Sequence, residues 1–313
     1  MTGHRTSWWW RRRLFAASAA GFLVVAALVL ATPLPSGSAE RSSPPGVEYY
    51  VSLGDSYAAG YQPVSSAAAH QDTNGFAYQI VRLAGVKGYR FSLRNFACDG
   101  ATSTSLMGQK GCPLLAPGPD TASYPSLSQA AAADRFVTRH RGHVGLVTVS
   151  IGGNDILGCA AAAIFESCVT AALPTLESNL HLLLTELRQA AGPGVPIVGI
   201  TYPDVFLGLY ASSDPASKEL ATASVPVFRE VLNPALAAEY HTVGGTFVDV
   251  TAATGAYTPI SETTQSGPHE TLPVAVAEVC ALTYECQLQD VHPRDRGYAL
   301  IARLIVATLP RRR

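Results

Sequence analysis

Tyr49-Tyr50-Val51-Ser52-Leu53-Gly54-Asp55-Ser56-Tyr57-Ala58-Ala59-Gly60 decides how this chain reads. A run with little polar alternation ends on a Gly-flanked turn that carries a serine. The run has the composition of a strand buried on both faces. Glycine beside the serine lets the backbone bend and leaves the hydroxyl accessible, which is the placement an acyl-transfer nucleophile needs. By itself Gly-Asp-Ser is also an ordinary turn, and a serine at this junction also suits a helix N-cap.

Four more β-rich runs follow: Arg90–Asn95, Val144–Ile151, Pro196–Thr201 and Thr246–Val250, with Glu48–Leu53 as the first of five. Helical patterns separate them. Pro174–Ala191 places Leu176, Leu180, Leu183, Leu184 and Leu187 on one face, with Gly192 as a C-terminal cap. Arg294–Leu309 carries the stripe Tyr298, Ile301, Ala302, Ile305 and Leu309. Ala216–Tyr240 is helical in pattern but holds Pro226 and Pro234, which predicts a kink or two helices. Alternating strands and helices give an α/β fold, three-layer α/β/α, with a five-stranded parallel sheet in the flavodoxin-like order 2-1-3-4-5. In that order the turns after the first three strands share one sheet edge, at the switch point where ligands bind.

Those turns hold Gly54-Asp55-Ser56, then Asn95-Phe96-Ala97-Cys98-Asp99-Gly100-Ala101-Thr102, then Gly152-Gly153-Asn154-Asp155. His292-Pro293 follows near the C-terminus. The four ordered blocks resemble the GDSL/SGNH hydrolases, in particular secreted actinobacterial-type esterases and lipases. The resemblance runs from Ser56 to His292. It implies Ser56 as nucleophile and His292 as general base. It also implies an oxyanion hole from the Ser56 and Gly100 backbone N–H groups and the Asn154 amide. Taken alone, Gly152-Gly153-Asn154-Asp155 is a plain turn, and a histidine beside a proline is usually structural. No Gly-x-Ser-x-Gly elbow occurs, which argues against an α/β-hydrolase.

The chain departs from the family at the third catalytic position. The common form is Asp-x-x-His, yet Gln289 stands three residues before His292, and the nearest acid is Asp290. Either Asp290 still reaches the imidazole, or the Gln289 backbone carbonyl orients it in a Ser-His dyad. The one-residue displacement narrowly favours the dyad, on the reasoning that it turns the acid to the opposite face of an extended segment.

The N-terminus has the layout of an export signal. Arg5, Arg11, Arg12 and Arg13 precede the apolar run Leu14–Ala31, and Ser36-Gly37-Ser38-Ala39 suits a cleavage site. Arg12-Arg13-Leu14-Phe15 loosely resembles a twin-arginine motif. Residues 1–39 are expected to be cleaved, 40–46 to form a short linker, and 47–313 to form the hydrolase domain. An uncleaved run would anchor the chain in a membrane. The whole chain has 22 basic and 23 acidic residues; removal of the segment leaves 18 against 23. A mildly acidic domain has no electrostatic footprint for nucleic acid. Arg311-Arg312-Arg313 reads as a solvated end.

All six cysteines follow the signal, and in an oxidising compartment they read as disulfides. Pairing of sequence neighbours gives Cys98–Cys112, Cys159–Cys168 and Cys280–Cys286. No Cys-x-x-Cys exists, so a zinc site is disfavoured, and a surface helix end explains His140 and His143 better than metal binding.

The expectation is a secreted, monomeric serine esterase or lipase acting on small-molecule, lipid or glycan esters, with no metal, no organic cofactor and no stable protein partner. A carbohydrate deacetylase or acyltransferase uses the same site. A catalytically silent surface domain is the rival from another class. The segments Tyr61–Asn74, Gly111–Ser126 and Thr251–Glu278 are expected to supply the pocket's variable wall.

Overall fold

Five parallel strands carry the motif-bearing turns: β1 (Glu48–Gly54), β2 (Phe91–Asn95), β3 (Val144–Ser150), β4 (Ile197–Ile200) and β5 (Thr246–Val248). A computed structural model describes residues 46–65, 68–71, 73–113, 118–267 and 270–312. The expected signal segment 1–39 and linker residues 40–45 lie outside the described residues. The sheet order is β2-β1-β3-β4-β5, the order read from the sequence. Registers such as Ser52↔Asn95, Gly54↔Ser150 and Ile200↔Val248 align the strands' C-terminal ends. The turns holding Ser56, Gly100 and Asn154 follow β1, β2 and β3, so the sheet brings three distant sequence blocks to one edge.

Strand alternation sorts the core into two layers. Tyr49, Val51 and Leu53 pack with Phe136 and Val137 of the helix Gln129–Arg139, Leu180 and Leu183 of Phe165–Ala191, and Tyr240 of Asn233–Thr242. Tyr50 faces the other way, against Phe76 and Ile80 of Phe76–Leu83 and Tyr298, Ile301 and Ile305 of Asp295–Thr308. With both faces covered, β1 has no need of polar alternation. Its two buried hydroxyls on the second face, Tyr50 and Ser52, both meet Thr148 Oγ1, at 2.8 and 3.4 Å. Truncating a fully buried residue such as Leu184 to alanine typically costs about 2–5 kcal/mol.

Two regions differ from the sequence reading, and a third, Ala216–Tyr240, shows the break it predicts. The helix expected from Pro174 begins at Phe165 and holds Pro174 inside it. Phe165, Val169 and Leu173 extend the buried stripe by further turns, and that burial outweighs the hydrogen bond proline forgoes. Across Ala216–Tyr240 the chain forms a helix Pro215–Pro226, a π turn Val227–Leu232 and the helix Asn233–Thr242. The wider turn absorbs Pro226, while Pro234 sits in a first turn, where no N–H is required. Arg312, expected in a solvated tail, is tied down: its N–H donates to the Lys87 carbonyl, and its guanidinium pairs with Glu48 and lies over the Tyr89 ring.

The three disulfides join Cys98–Cys112, Cys159–Cys168 and Cys280–Cys286, the nearest-neighbour pairing, with Cα–Cα distances of 5.6, 5.5 and 5.2 Å. No helix among the described residues is long and apolar enough to cross a membrane.

Candidate active site

The serine turn is built around Gly54. Its φ of +133° and the Ser150 carbonyl, 1.9 Å from where a Cβ would stand, admit only glycine. Gln129 clamps the same peptide from the side: Gly54 N–H donates to Oε1 at 2.6 Å and Nε2 donates to the Gly54 carbonyl at 3.0 Å. Asp55 follows as the N-cap of the short helix Ser56–Ala59, accepting from Tyr57 N–H at 3.0 Å. The N-cap is therefore Asp55, and Ser56 is the first helical residue with its hydroxyl free for other work.

That hydroxyl lies 2.8 Å from His292 Nε2, across 236 residues of sequence. His292 stands in the strand Asp290–Pro293, which pairs with Thr283–Tyr284 just ahead of the helix Asp295–Thr308. Its Nδ1 lies 2.7 Å from Asp290 Oδ1, and its backbone N–H donates to the same oxygen at 3.0 Å. The dyad expectation is thus corrected: Asp290, rather than the Gln289 carbonyl, meets the imidazole. Two features of the backbone explain it. Residues i and i+2 of a strand share a face, so Asp290 and His292 point together. Gln289, with φ of 53°, is in the left-handed region and breaks the extended run before Asp290.

Two tyrosine rings pack near the imidazole. Tyr61 packs on it with centroids 4.1 Å apart, and Tyr57 lies at 5.9 Å while donating its hydroxyl to the Val291 carbonyl at 2.6 Å. The sequence reading missed both, as well as Gln129. Tyr57 and Tyr61 lie within five residues of Ser56, but aromatic residues in a turn carry no signal of their partner.

The other two turns interlock. Gly100, with φ of +70°, sits in a turn closed by Ala101 N–H to the Cys98 carbonyl. Asn154 Nδ2 donates to the Ala101 carbonyl at 2.9 Å, and Asp155 accepts from Ser103 N–H and Oγ. Asn154 is thereby fixed against the Gly100 turn. One of its two amide protons serves the Ala101 bond, leaving the other as a donor the side chain can offer elsewhere.

Electrostatically, the two aspartates beside the site differ. Burial pushes Asp55 up to about 7, opposed by hydrogen bonds from Tyr202 Oη and Tyr57 N–H. Desolvation also acts upward on Asp290, but the hydrogen bond and charge of His292 and its backbone N–H outweigh it and hold Asp290 below the usual range.

A pocket opens beside Ser56 and Asn154, walled mainly by Ile156, Leu157, Val205, Phe206 and Phe228. Its wall comes from the segments after β3 and β4, with Phe228 from the π turn and Val291, and not from the three segments expected to supply it. Tyr61–Asn74 contributes a hairpin whose first residue touches His292. Gly111, Pro113 and Tyr124 line a separate cleft with Gly100. Thr251–Glu278 forms part of another core cluster, with Ala256, Leu272, Ala275 and Val276 packed on Leu207. Among the described residues no group of three His, Cys, Asp or Glu is placed to hold a metal ion.

A hydroxyl, an imidazole and a carboxylate in hydrogen-bonded series, beside anchored amide donors, can perform acyl transfer. Residues 52–300 match the model of the GDSL-like lipase/acylhydrolase family. No curated protein matches the chain. Phospholipase A1 from Streptomyces albidoflavus NA297 is similar at 16% identity and TM-score 0.47, covering 84% of this chain and 100% of that one. An extracellular lipase from Streptomyces rimosus gives 16% and 0.45 with the same coverages. The psychrotrophic esterase EstA from Pseudoalteromonas sp. gives 12% and 0.40, covering 83% and 96%. The family match spans most of the sequence and contains all four motif blocks: the chain belongs to the GDSL-like lipase/acylhydrolase family, and is a carboxylic ester hydrolase.

Proposed function

We propose that the chain hydrolyses carboxylic esters through an acyl-enzyme on Ser56. The observation that carries this reading is the unbroken series Ser56 Oγ, His292 Nε2, His292 Nδ1, Asp290 Oδ1, with links of 2.8 and 2.7 Å. Ser56 Oγ attacks the acyl carbon as its proton passes to His292 Nε2. The imidazolium that forms is oriented and stabilised by Asp290, which stays ionised. Negative charge gathering on the carbonyl oxygen meets the Ser56 and Gly100 backbone N–H groups and the Asn154 amide. Collapse of the tetrahedral species breaks the bond to the alcohol, and His292 returns the proton to the departing alkoxide. Water then repeats both steps on the acyl-enzyme and releases the acid.

Every group this reaction requires is a protein group, so the reading calls for no metal or organic cofactor. The mostly apolar wall around Ile156, Leu157, Val205, Phe206 and Phe228 favours a hydrocarbon acyl chain over a bare acetyl group, hence an esterase or lipase over a deacetylase. Residues 1–39 act as a cleaved export signal, and 47–313 as the secreted hydrolase domain. Three disulfides are in keeping with an oxidising destination. Ser56→Ala and His292→Ala, purified and folded, are each expected to lose activity on a chromogenic short-chain ester by about 10⁴-fold or more. Near wild-type turnover in either would overturn the assignment.

A further inference from the structure

Four large apolar side chains are exposed among the described residues: Val86, Leu157, Ile164 and Leu182. Two of them bracket one short loop. Leu157 is 37% exposed and Ile164 65% exposed. Between them Gly158, Ala160, Ala161, Ala162 and Ala163 are exposed as well, and only Cys159 turns inward. From Ile156 through Phe165 the chain has no charged residue. A solvent-facing stretch of that length normally carries charge, and a contiguous exposed apolar surface marks a place of contact.

Three further observations say what it contacts. Leu157 belongs both to this surface and to the wall of the pocket beside Ser56, so the loop adjoins the pocket. The loop is held rather than loose: the Cys159–Cys168 disulfide ties it to the start of the helix Phe165–Ala191, and Ala162 N–H donates to the Cys159 carbonyl. Its charged sequence neighbours are both acidic. Asp155 is engaged with Ser103, whereas Glu166 is exposed. That flank disfavours an anionic surface and leaves an electrically neutral one.

We propose that residues 157–164 form the face by which the enzyme rests on a neutral, ester-bearing lipid surface, with the acyl pocket opening at its edge. The inference rests on the ester-hydrolase reading of the same site. A lipid lying against the loop passes its chain over Leu157 into the pocket without crossing water, which is how aggregated substrate becomes preferred over dispersed substrate. Apolar contact rather than charge supplies the attachment, so the association is insensitive to salt.

The test uses the full disulfide-bonded protein carrying Ser56→Ala, so that lipid is not consumed, and vesicles of phosphatidylcholine. Co-sedimentation measures partitioning without any turnover. Adding Ile164→Asp is expected to lower the partition coefficient about tenfold or more, the equivalent of ~1.4 kcal/mol. Residue 164 is the N-cap of the helix Phe165–Ala191, a position aspartate suits, so the fold survives the change. Ala162→Trp is expected to act oppositely and raise partitioning several-fold. With Ser56 restored, Ile164→Asp should hydrolyse a dissolved short-chain ester within about twofold of wild type. Unchanged partitioning in both loop variants, binding that requires anionic lipid, or a dimer that Ile164→Asp dissolves would each overturn the proposal. Failure of the hydrolase reading is separately visible, as ester cleavage that persists in Ser56→Ala.

Discussion

Asp55 and Asp290 flank the two halves of the site and share a local device. Each accepts, through Oδ1, from the backbone N–H two residues on, Tyr57 in one case and His292 in the other. Their surroundings then separate them. Asp55 is 1% exposed beneath the serine turn, with Tyr202 on its second oxygen and its carboxyl pushed up to about 7 by burial. Asp290 stays partly accessible, faces His292 Nδ1, and is held below the ordinary carboxylate range. The same residue with the same backbone contact is a helix cap in one place and a partner for an imidazole in a strand in the other. What decides is the group on the remaining lone pairs and the depth of burial.

The contrast breaks first at Asp290. Replacing it with asparagine leaves the shape intact but removes the acceptor that selects the Nδ1–H tautomer. A fall in kcat of about 10⁴ is expected, as for the equivalent serine-protease change. Steady-state kinetics on a soluble ester reads it, and a loss below about tenfold would return the orienting role to the Gln289 carbonyl.

Asn154→Ala tests the donor side. Its amide is braced against the Ala101 carbonyl, so truncation removes a pre-aimed N–H while leaving Ser56 and His292 in contact. A loss of about 10²–10³ in kcat with little change in KM is expected. An equal loss in binding of a substrate analogue would instead mean that the turn after β2 has moved.

Asp55→Asn is the smallest effect on turnover. The amide oxygen keeps the Tyr57 N–H and the amide nitrogen can donate to the Tyr202 oxygen, so kcat should stay within about tenfold. Its mark falls on stability against pH. A carboxyl whose folded value is raised binds its proton more tightly in the folded chain. The stability it contributes is full below the ordinary carboxylate value and is lost as pH rises through about 7. Asparagine removes that loss, so Tm should fall less between pH 4 and 8 than in the wild type. Buried Asp204, also pushed up to about 7, continues to act in the same direction in both proteins. Asp290 works with the opposite sign: its lowered value gives stability that is lost as pH falls through it. Identical pH slopes for wild type and Asp55→Asn would show that Asp55 is ionised throughout.

Much of this was legible because it rests on short-range pattern. All five strands, their order and the convergence of three turns follow from buried apolar runs and the geometry of parallel sheets. Ser56, Asn154 and His292 stand out because their blocks resemble a family, and the cysteines pair with their neighbours. Other parts depend on contacts between distant segments. Gln129 is an ordinary helix-start glutamine until the fold sets it 2.6 Å from Gly54, and Tyr202 gains meaning only through Asp55. Asp290 is only half legible, for a different reason. The sequence shows its offset from the usual family position, whereas its distance to His292 is set by strand alternation and by the left-handed Gln289 before it.

On this reading Asp290 fixes the proton of His292 on Nδ1. Nitrogen-15 NMR of histidine-labelled enzyme at a pH where the imidazole is neutral reports that tautomer directly. Wild type should show the proton on Nδ1, with Nε2 accepting from Ser56, and Asp290→Asn should shift the population toward Nε2–H. The same Nδ1–H tautomer in both proteins, with activity retained, would contradict the claim.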